Sequence, residues 1–252
     1  MISTLVIDGK DLAYVLRDAL PSLTDALALT YGGPLLYVAQ QYGITTPLRL
    51  AHFLAQVAHE SGEFKYTEEL ASGQAYEGRK SLGNTQPGDG VRFKGRGLIQ
   101  ITGRYNYKRY ANFMKNSRLL EEPGLLKELP WSADSAGWFW RFGNGTDASN
   151  AADKDNLLAV TRIINGGTRG LADRQRKLKQ FKQALDVRST MKVQQALNTM
   201  GTYPQLLVDG EFGPRTASIV RELQADHFTE PTGVVDAALW AKLKKYAETD
   251  HG

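Results

Sequence analysis

The segment Thr46–Gly62, TPLRLAHFLAQVAHESG, constrains this chain more than any other stretch. Thr46 followed by Pro47 reads as a helix start, with proline in the first turn where its missing N–H is not needed. Leu50, Leu54 and Val57 recur at helical spacing, so one face of this helix must be core. Ser61–Gly62 is a helix stop, and the last residue before it is a carboxylate, Glu60. A partly desolvated carboxyl in such a place suits general acid catalysis. From the local sequence alone, a surface Glu that merely ends a helix is the plainer reading.

The chain after Glu60 supplies more groups of the same kind. YTEELASGQAYEGR carries Glu68, Glu69 and Glu77, and residues 70–97 are rich in Gly, Asn, Gln and Asp, as a loop bordering a groove would be. RFKGRGLIQITGRYNY follows, with Ile99 and Ile101 in alternation and then Tyr105, Asn106, Tyr107, Tyr110 and Asn112. Carboxylates near a groove of amides and tyrosines are what hydrolysis of a glycosidic bond requires. A polar helix with its tyrosines packed inside would leave the same pattern.

Composition narrows the alternatives. Cysteine is absent from the 252 residues, which removes disulfides, thiol nucleophiles and thiolate metal sites and fits synthesis in a reducing cytoplasm. Of the four histidines, His52 and His59 share one helical face, but with His227 and His251 they complete no set at metal spacing, and no HExxH helix exists. They read as structural side chains, and neither a metal nor another cofactor is expected. Nothing approaches the run of about 18 apolar residues that spans a membrane, so no membrane insertion is expected. The N-terminus lacks the basic and apolar regions of a signal peptide. From Thr190 onward there are six Lys and Arg against eight Asp and Glu, and before it 25 against 19, so the basic excess belongs to the larger part. That suits an anionic polymer such as a bacterial envelope. No nucleic-acid motif accompanies it, and a solvated basic surface explains it equally well.

The rest of the chain reads as helices with punctuation. Pro21, Gly32–Pro34 and Gly43–Pro47 interrupt the first 50 residues. ADSAGWFWR is a buried aromatic helix that places Trp138 and Trp140 in the core, and LLAVTRIINGG is cut at Gly166–Gly167, with Asn165 as its cap or a contact residue. The pattern restarts around Asp186–Thr190, which reads as a linker. Beyond it lie three short helices, with Val193, Leu197, Val220, Leu223, Leu239 and Leu243 as a small core and turns at Asp209–Gly210 and Gly213–Pro214. This part carries no catalytic constellation and reads as a binding module.

At RFKGRGLIQITGRYNY the chain resembles the plant-type (family 19) chitinases and their relatives among phage lysins, in which the stretch runs roughly aromatic-x-GRG-x-IQ-[L/I]-[S/T]-x-x-x-NY. Arg96, Gly97, Gln100, Thr102, Asn106 and Tyr107 fall on matching positions. AHFLAQVAHESGEF resembles the family's catalytic HE segment, RIINGG its substrate-contacting Asn at Asn165, and ADRQRKLKQF a family Arg at Arg174. VQQALNTMG, VDGEFGPRTASIVRELQ and TGVVDAALWAKL are similar to a three-helix peptidoglycan-binding module.

The resemblance implies a mainly α architecture: a bilobal lysozyme-like helical domain over residues 1–187 and a small three-helix peptidoglycan-binding domain over 188–252. It overturns the plain reading of Glu60 and makes it the general acid. It implies inverting chemistry, for which two carboxyl groups stand about 6.5–9.5 Å apart. The second is Glu69, nine residues on, with Glu77 as its rival, and Glu68 pointing away. The Thr102 hydroxyl would hold the attacking water, and Gln100, Asn106, Tyr107, Asn165 and Arg174 would contact substrate. The implied protein is a phage-type endolysin acting on bacterial peptidoglycan, expected as a monomer, made in the host cytoplasm and released to the wall through a holin pore. A chitinase, or a non-catalytic wall-binding protein, is the alternative.

Overall fold

The computed structural model describes residues 1–227 and 230–247, so His251 lies outside the described residues. Helix α1 (Gly9–Ala19) opens with a reciprocal cap, in which Asp8 accepts from the Asp11 N–H and Asp11 from the Asp8 N–H. Helix α2 (Asp25–Gln41) runs through Gly32–Pro34, where the sequence suggests a break. Packing explains the difference. A Cβ on Gly32 would lie 2.6 Å from the Gly9 carbonyl oxygen, and one on Gly9 2.8 Å from Gly33 Cα, so these glycines let α1 and α2 touch backbone to backbone. Helix α3 (Pro47–Glu60) starts where expected: the Thr46 hydroxyl accepts from the Arg49 N–H, and every residue from Leu50 to Ala58 is buried.

The segment after α3 is mostly loop around the short α4 (Asp89–Arg92). Two isolated antiparallel bridges centre on Arg96, one to Glu68 and one to Ile101, and no longer strand forms among the described residues. Next come α5 (Arg104–Phe113), α6 (Arg118–Glu121) and α7 (Trp131–Phe142), the aromatic helix. Trp138 and Trp140 are buried as expected, and the Trp140 indole donates to the Ser149 hydroxyl at 3.0 Å. Helix α8 (Ser149–Asp153) leads to α9 (Leu157–Asn165), which ends at Gly166 in the left-handed conformation, φ 74°.

Helix α10 spans Leu171–Thr199, 29 residues without interruption. No linker exists at Asp186–Thr190. The run contains neither Gly nor Pro, and Ser189 and Thr190 are buried, so nothing unwinds it. Helices α11 (Pro214–His227) and α12 (Ala237–Ala247) pack on the end of α10, and Val193, Leu197, Val220, Leu239 and Leu243 form the second core, with Leu223 at its edge. Ile2 and Trp240 pack against both cores. The N-terminal residues also pair with the loop before α12: Val235 donates to the Met1 carbonyl at 2.9 Å, and Ser3 to the Val235 carbonyl at 3.0 Å. Lys192 of α10 lies 3.1 Å from Asp11. The C-terminal helices are therefore seated on the larger unit. Among the described residues no helix is long and apolar enough to cross a membrane.

Candidate active site

Glu60 is the last residue of α3, and its side chain is 19% exposed. The first turn of α10 meets it. Arg174 is fully buried, and its guanidinium is divided three ways: one terminal nitrogen donates to Glu60 Oε1, the other to Gln56 Oε1, and Nε to the Arg169 carbonyl at 3.2 Å. A planar fork that satisfies three acceptors fixes the rotamer of each partner. Arg174, expected to contact substrate, is instead enclosed and positions Glu60, because each of its three nitrogens donates to α3 or to the loop before α10. Further ties lock this junction. His59 Nδ1 lies 2.6 Å from Asp173 Oδ2, and the buried Lys177 donates to Glu63 at 2.7 Å and Asp173 at 3.3 Å. A Cβ on Gly170, φ 69°, would come 2.1 Å from the His59 ring, so only glycine can start α10 there.

Glu69 stands on the bridge ladder. Its N–H donates to the Gly95 carbonyl at 2.9 Å, and Gly97 donates to the Thr67 carbonyl at 2.8 Å. Successive residues of an extended segment point to opposite sides, and Glu68 accordingly turns away to Arg96 Nε at 2.8 Å and Lys94 at 3.6 Å. Burial pushes the Glu68 carboxyl up, but Arg96 and the lysines hold it below the usual carboxylate range. Glu69 Oε2 accepts from the Tyr76 hydroxyl at 2.9 Å, while Oε1 is buried and has no hydrogen-bond partner among the described residues. Burial, and then the Glu69 carboxylate, raise the Tyr76 pKa, so the phenol stays a donor.

Three oxygens converge over Gly95. A Cβ there would lie 2.8 Å from Gln100 Oε1, 3.2 Å from Glu69 Oε2 and 3.3 Å from Thr102 Oγ1. Gln100 adopts φ 56°, unusual for a side-chain-bearing residue, and its amide donates to the Gly97 carbonyl at 3.0 Å, which aims Oε1 inward. Thr102 Oγ1 donates to the Gln100 carbonyl at 3.0 Å and keeps its lone pairs free, and Asn106 donates to the Thr102 carbonyl at 3.1 Å.

Of the other expected residues, Tyr107 does not reach this space. It is fully buried, its hydroxyl donates to the Lys94 carbonyl at 2.8 Å and accepts from Arg96 at 3.1 Å, and it braces the ladder from behind. The Glu77 carboxylate is occupied by backbone, accepting from Gly88 at 2.7 Å and Gly90 at 2.8 Å. Asn165 is exposed at the end of α9. His52 contacts Asp155 at 2.9 Å and burial lowers its pKa, in keeping with a structural part. Sequence reasoning missed Tyr76, Gln56 and Gly95. Tyr76 and Gly95 sit in motifs already singled out, but no periodicity marks a tyrosine that will face a carboxylate.

Comparisons with known proteins fit this geometry. A protein of Haemophilus influenzae described as glycosyl hydrolase family 19 domain-containing is 30% identical, over 54% of this chain and 79% of that protein. An endochitinase of Arabidopsis thaliana is 37% identical over 50% of this chain, but the match spans only 42% of the plant protein. The fold is similar to chitinase C from Streptomyces griseus, with a TM-score of 0.55 and 24% identity over 72% of this chain and 77% of that one. It is also similar to another bacterial family 19 chitinase, with a TM-score of 0.55 and 21% identity over 81% of this chain and 99% of that one. Residues 188–243 match the family described as a putative peptidoglycan binding domain. Fold and relatives together make this a glycoside hydrolase of lysozyme-like helical architecture. Within that class, the chain belongs to glycosyl hydrolase family 19.

Proposed function

We propose that this protein is a peptidoglycan hydrolase of the endolysin type, cutting β-1,4 glycosidic bonds of the bacterial wall by inverting general acid/base catalysis. The observation that carries this reading is the convergence of Glu69, Gln100 and Thr102 oxygens over Gly95, in a chain whose other carboxylate, Glu60, is held by a buried arginine. Glu60 gives its proton to the leaving glycosidic oxygen. Glu69 takes a proton from water as that water's oxygen bonds to the anomeric carbon. The Thr102 hydroxyl accepts the water's second hydrogen and fixes its direction of attack. Gln100, Asn106 and Asn165 hydrogen-bond N-acetyl groups and sugar hydroxyls. The 188–243 segment holds the enzyme on the wall, and in a phage the enzyme would reach the wall through a holin pore and lyse the host.

Digestion of purified peptidoglycan, followed by borohydride reduction and mass spectrometry, tests this. Reduced muramic acid or glucosamine ends support a glycosidase and say which side is cut. Free amino groups without new reducing ends would mean an amidase or peptidase and would sink the assignment. A second reading, chitin as substrate, is favoured by the similarity to the Arabidopsis endochitinase. Turnover of chitin oligomers at a rate comparable to wall material would select it.

A further inference from the structure

The turn that follows Glu60 has an uncommon backbone. Gly62, Glu63 and Phe64 adopt φ 57°, 62° and 65°, three consecutive residues in the left-handed region. Residues with side chains visit that region as single exceptions, and a bulky one there is an outlier. Backbone bonds fold the turn onto α3: Gly62 donates to the His59 carbonyl at 3.3 Å and Glu63 to the Ala58 carbonyl at 2.7 Å. The Ser61 hydroxyl accepts from the Phe64 N–H at 2.9 Å, and the buried Phe64 ring has its centroid 5.5 Å from that of Tyr31. Core packing thus accounts for Phe64. None of these contacts calls for the Glu63 side chain, and glycine would adopt φ 62° with less strain.

That side chain ties the turn in two directions. Its Oε1 accepts from Lys177 of α10 at 2.7 Å, and its Oε2 from the Ser22 hydroxyl in the loop between α1 and α2. The Lys177 side chain is only 4% exposed, so its ammonium depends on Glu63 and on Asp173, 3.3 Å away. Lys177 lies one turn beyond Asp173 and Arg174, and the three meet the end of α3 in register: Asp173 at His59, Arg174 at Glu60, Lys177 at Glu63. Arg174 can hold the Glu60 carboxylate only while the end of α3 stays against α10. Backbone strain kept at a residue whose side chain ties two further elements marks a functional constraint.

We propose that Glu63 and Lys177 are positioning residues for Glu60: their ion pair pins the left-handed turn, and with it the last turn of α3, against the helix that carries Arg174. This rests on the glycosidase reading above and adds two residues that act through the acid without touching substrate. Proton transfer requires the acid within hydrogen-bond reach of the leaving oxygen, and the end of a helix is where its chain otherwise frays.

Glu63→Gly tests this, because glycine takes the left-handed turn without penalty and removes only the side-chain ties. Relief of the backbone offsets the lost contacts, so circular dichroism should show the variant folded at the assay temperature. On purified peptidoglycan, kcat for reducing-end release should fall about tenfold with KM unchanged, given that an ångström of misplacement costs about 100-fold. The second readout places the same substitution in a Glu60→Gln background, with digestion long enough to measure the residual rate. Residues that act as a unit are not additive, so there Glu63→Gly should cost less than about twofold. A tenfold fall in both backgrounds would show that Glu63 supports the fold at large. An unchanged kcat, or a rise in KM alone, would remove the pair from the positioning of Glu60, and a variant unfolded at the assay temperature would make it a stability element. Each of these results overturns the proposal. Release of no reducing ends by the wild type would instead defeat the underlying glycosidase reading.

Discussion

Replacing Gly95 with Ala puts a methyl group among the three oxygens that the proposed water must meet. Gly95 is not in the left-handed region, so alanine meets no backbone strain there. The new Cβ would lie 2.8 Å from Gln100 Oε1, and the amide end would have to retreat by roughly 0.5 Å to reach ordinary contact. Mild overpacking costs about 1–2 kcal/mol, and the reduced freedom of the unfolded chain offsets about 0.4–1 kcal/mol of that. The net loss is about 1 kcal/mol, or a Tm lower by about 2–4 °C for a chain of this size. The rate should fall far more. The methyl would also stand 3.2 Å from Glu69 Oε2 and 3.3 Å from Thr102 Oγ1, between the base and the hydroxyl that orients the nucleophile. Misplacing a reacting atom by an ångström costs about 100-fold, and that is the expected drop in reducing-end release from purified wall. Thermal unfolding followed by circular dichroism supplies the stability half. A folded Gly95→Ala protein that releases reducing ends at close to the wild-type rate would refute the placement of the water.

Four further outcomes follow from the same geometry. Glu60→Gln should keep the fold and lower reducing-end release from purified wall by orders of magnitude, so a folded variant with near-normal release would remove Glu60 from the mechanism. Tyr76→Phe removes the one donor to Glu69 Oε2 and should lower kcat about tenfold with little change in KM. An unchanged kcat would deny Tyr76 its positioning part. Asp89 has a side chain only 1% exposed, and Arg104 with the Gln86 and Thr85 N–H groups holds its carboxyl below the usual range. Because the folded value is the lower one, this contribution is complete above about pH 4 and fades as the pH falls through the folded value. Asp89→Asn should therefore cost about 2 kcal/mol near neutrality, with the gap closing in acid-unfolding curves, and a gap independent of pH would show that charge is not its source. Finally, a Gly-Gly-Ser insertion after Val187 breaks α10 and should preserve hydrolysis of soluble wall fragments while slowing that of intact wall. Equal effects on both would show that the rigid connection is unimportant.

Local signals were legible wherever one helix or one turn decides the outcome. Thr46 and Pro47 start α3, Gly166 ends α9, and the apolar spacing of Leu50, Leu54 and Val57 buries the face it should. The same logic failed at Gly32–Pro34, because a glycine can serve a turn or a close helix contact and the sequence does not say which. It failed at Asp186–Thr190 because a change of pattern is not a breaker, and a helix continues until something stops it.

The sequence by itself determined the start of α3, the end of α9 and the placing of Glu60 at a helix end, since these depend on neighbours within a few residues. Only the tertiary structure decided what those residues face. It set Arg174 on Glu60 across 114 positions, sealed Tyr107 behind the ladder, bound Glu77 to backbone and left Glu69 Oε1 without a partner. Burial and partnership arise from contacts between distant segments, and the chemistry of a tyrosine or a carboxylate depends on which of its hydrogen-bonding positions the fold has already filled.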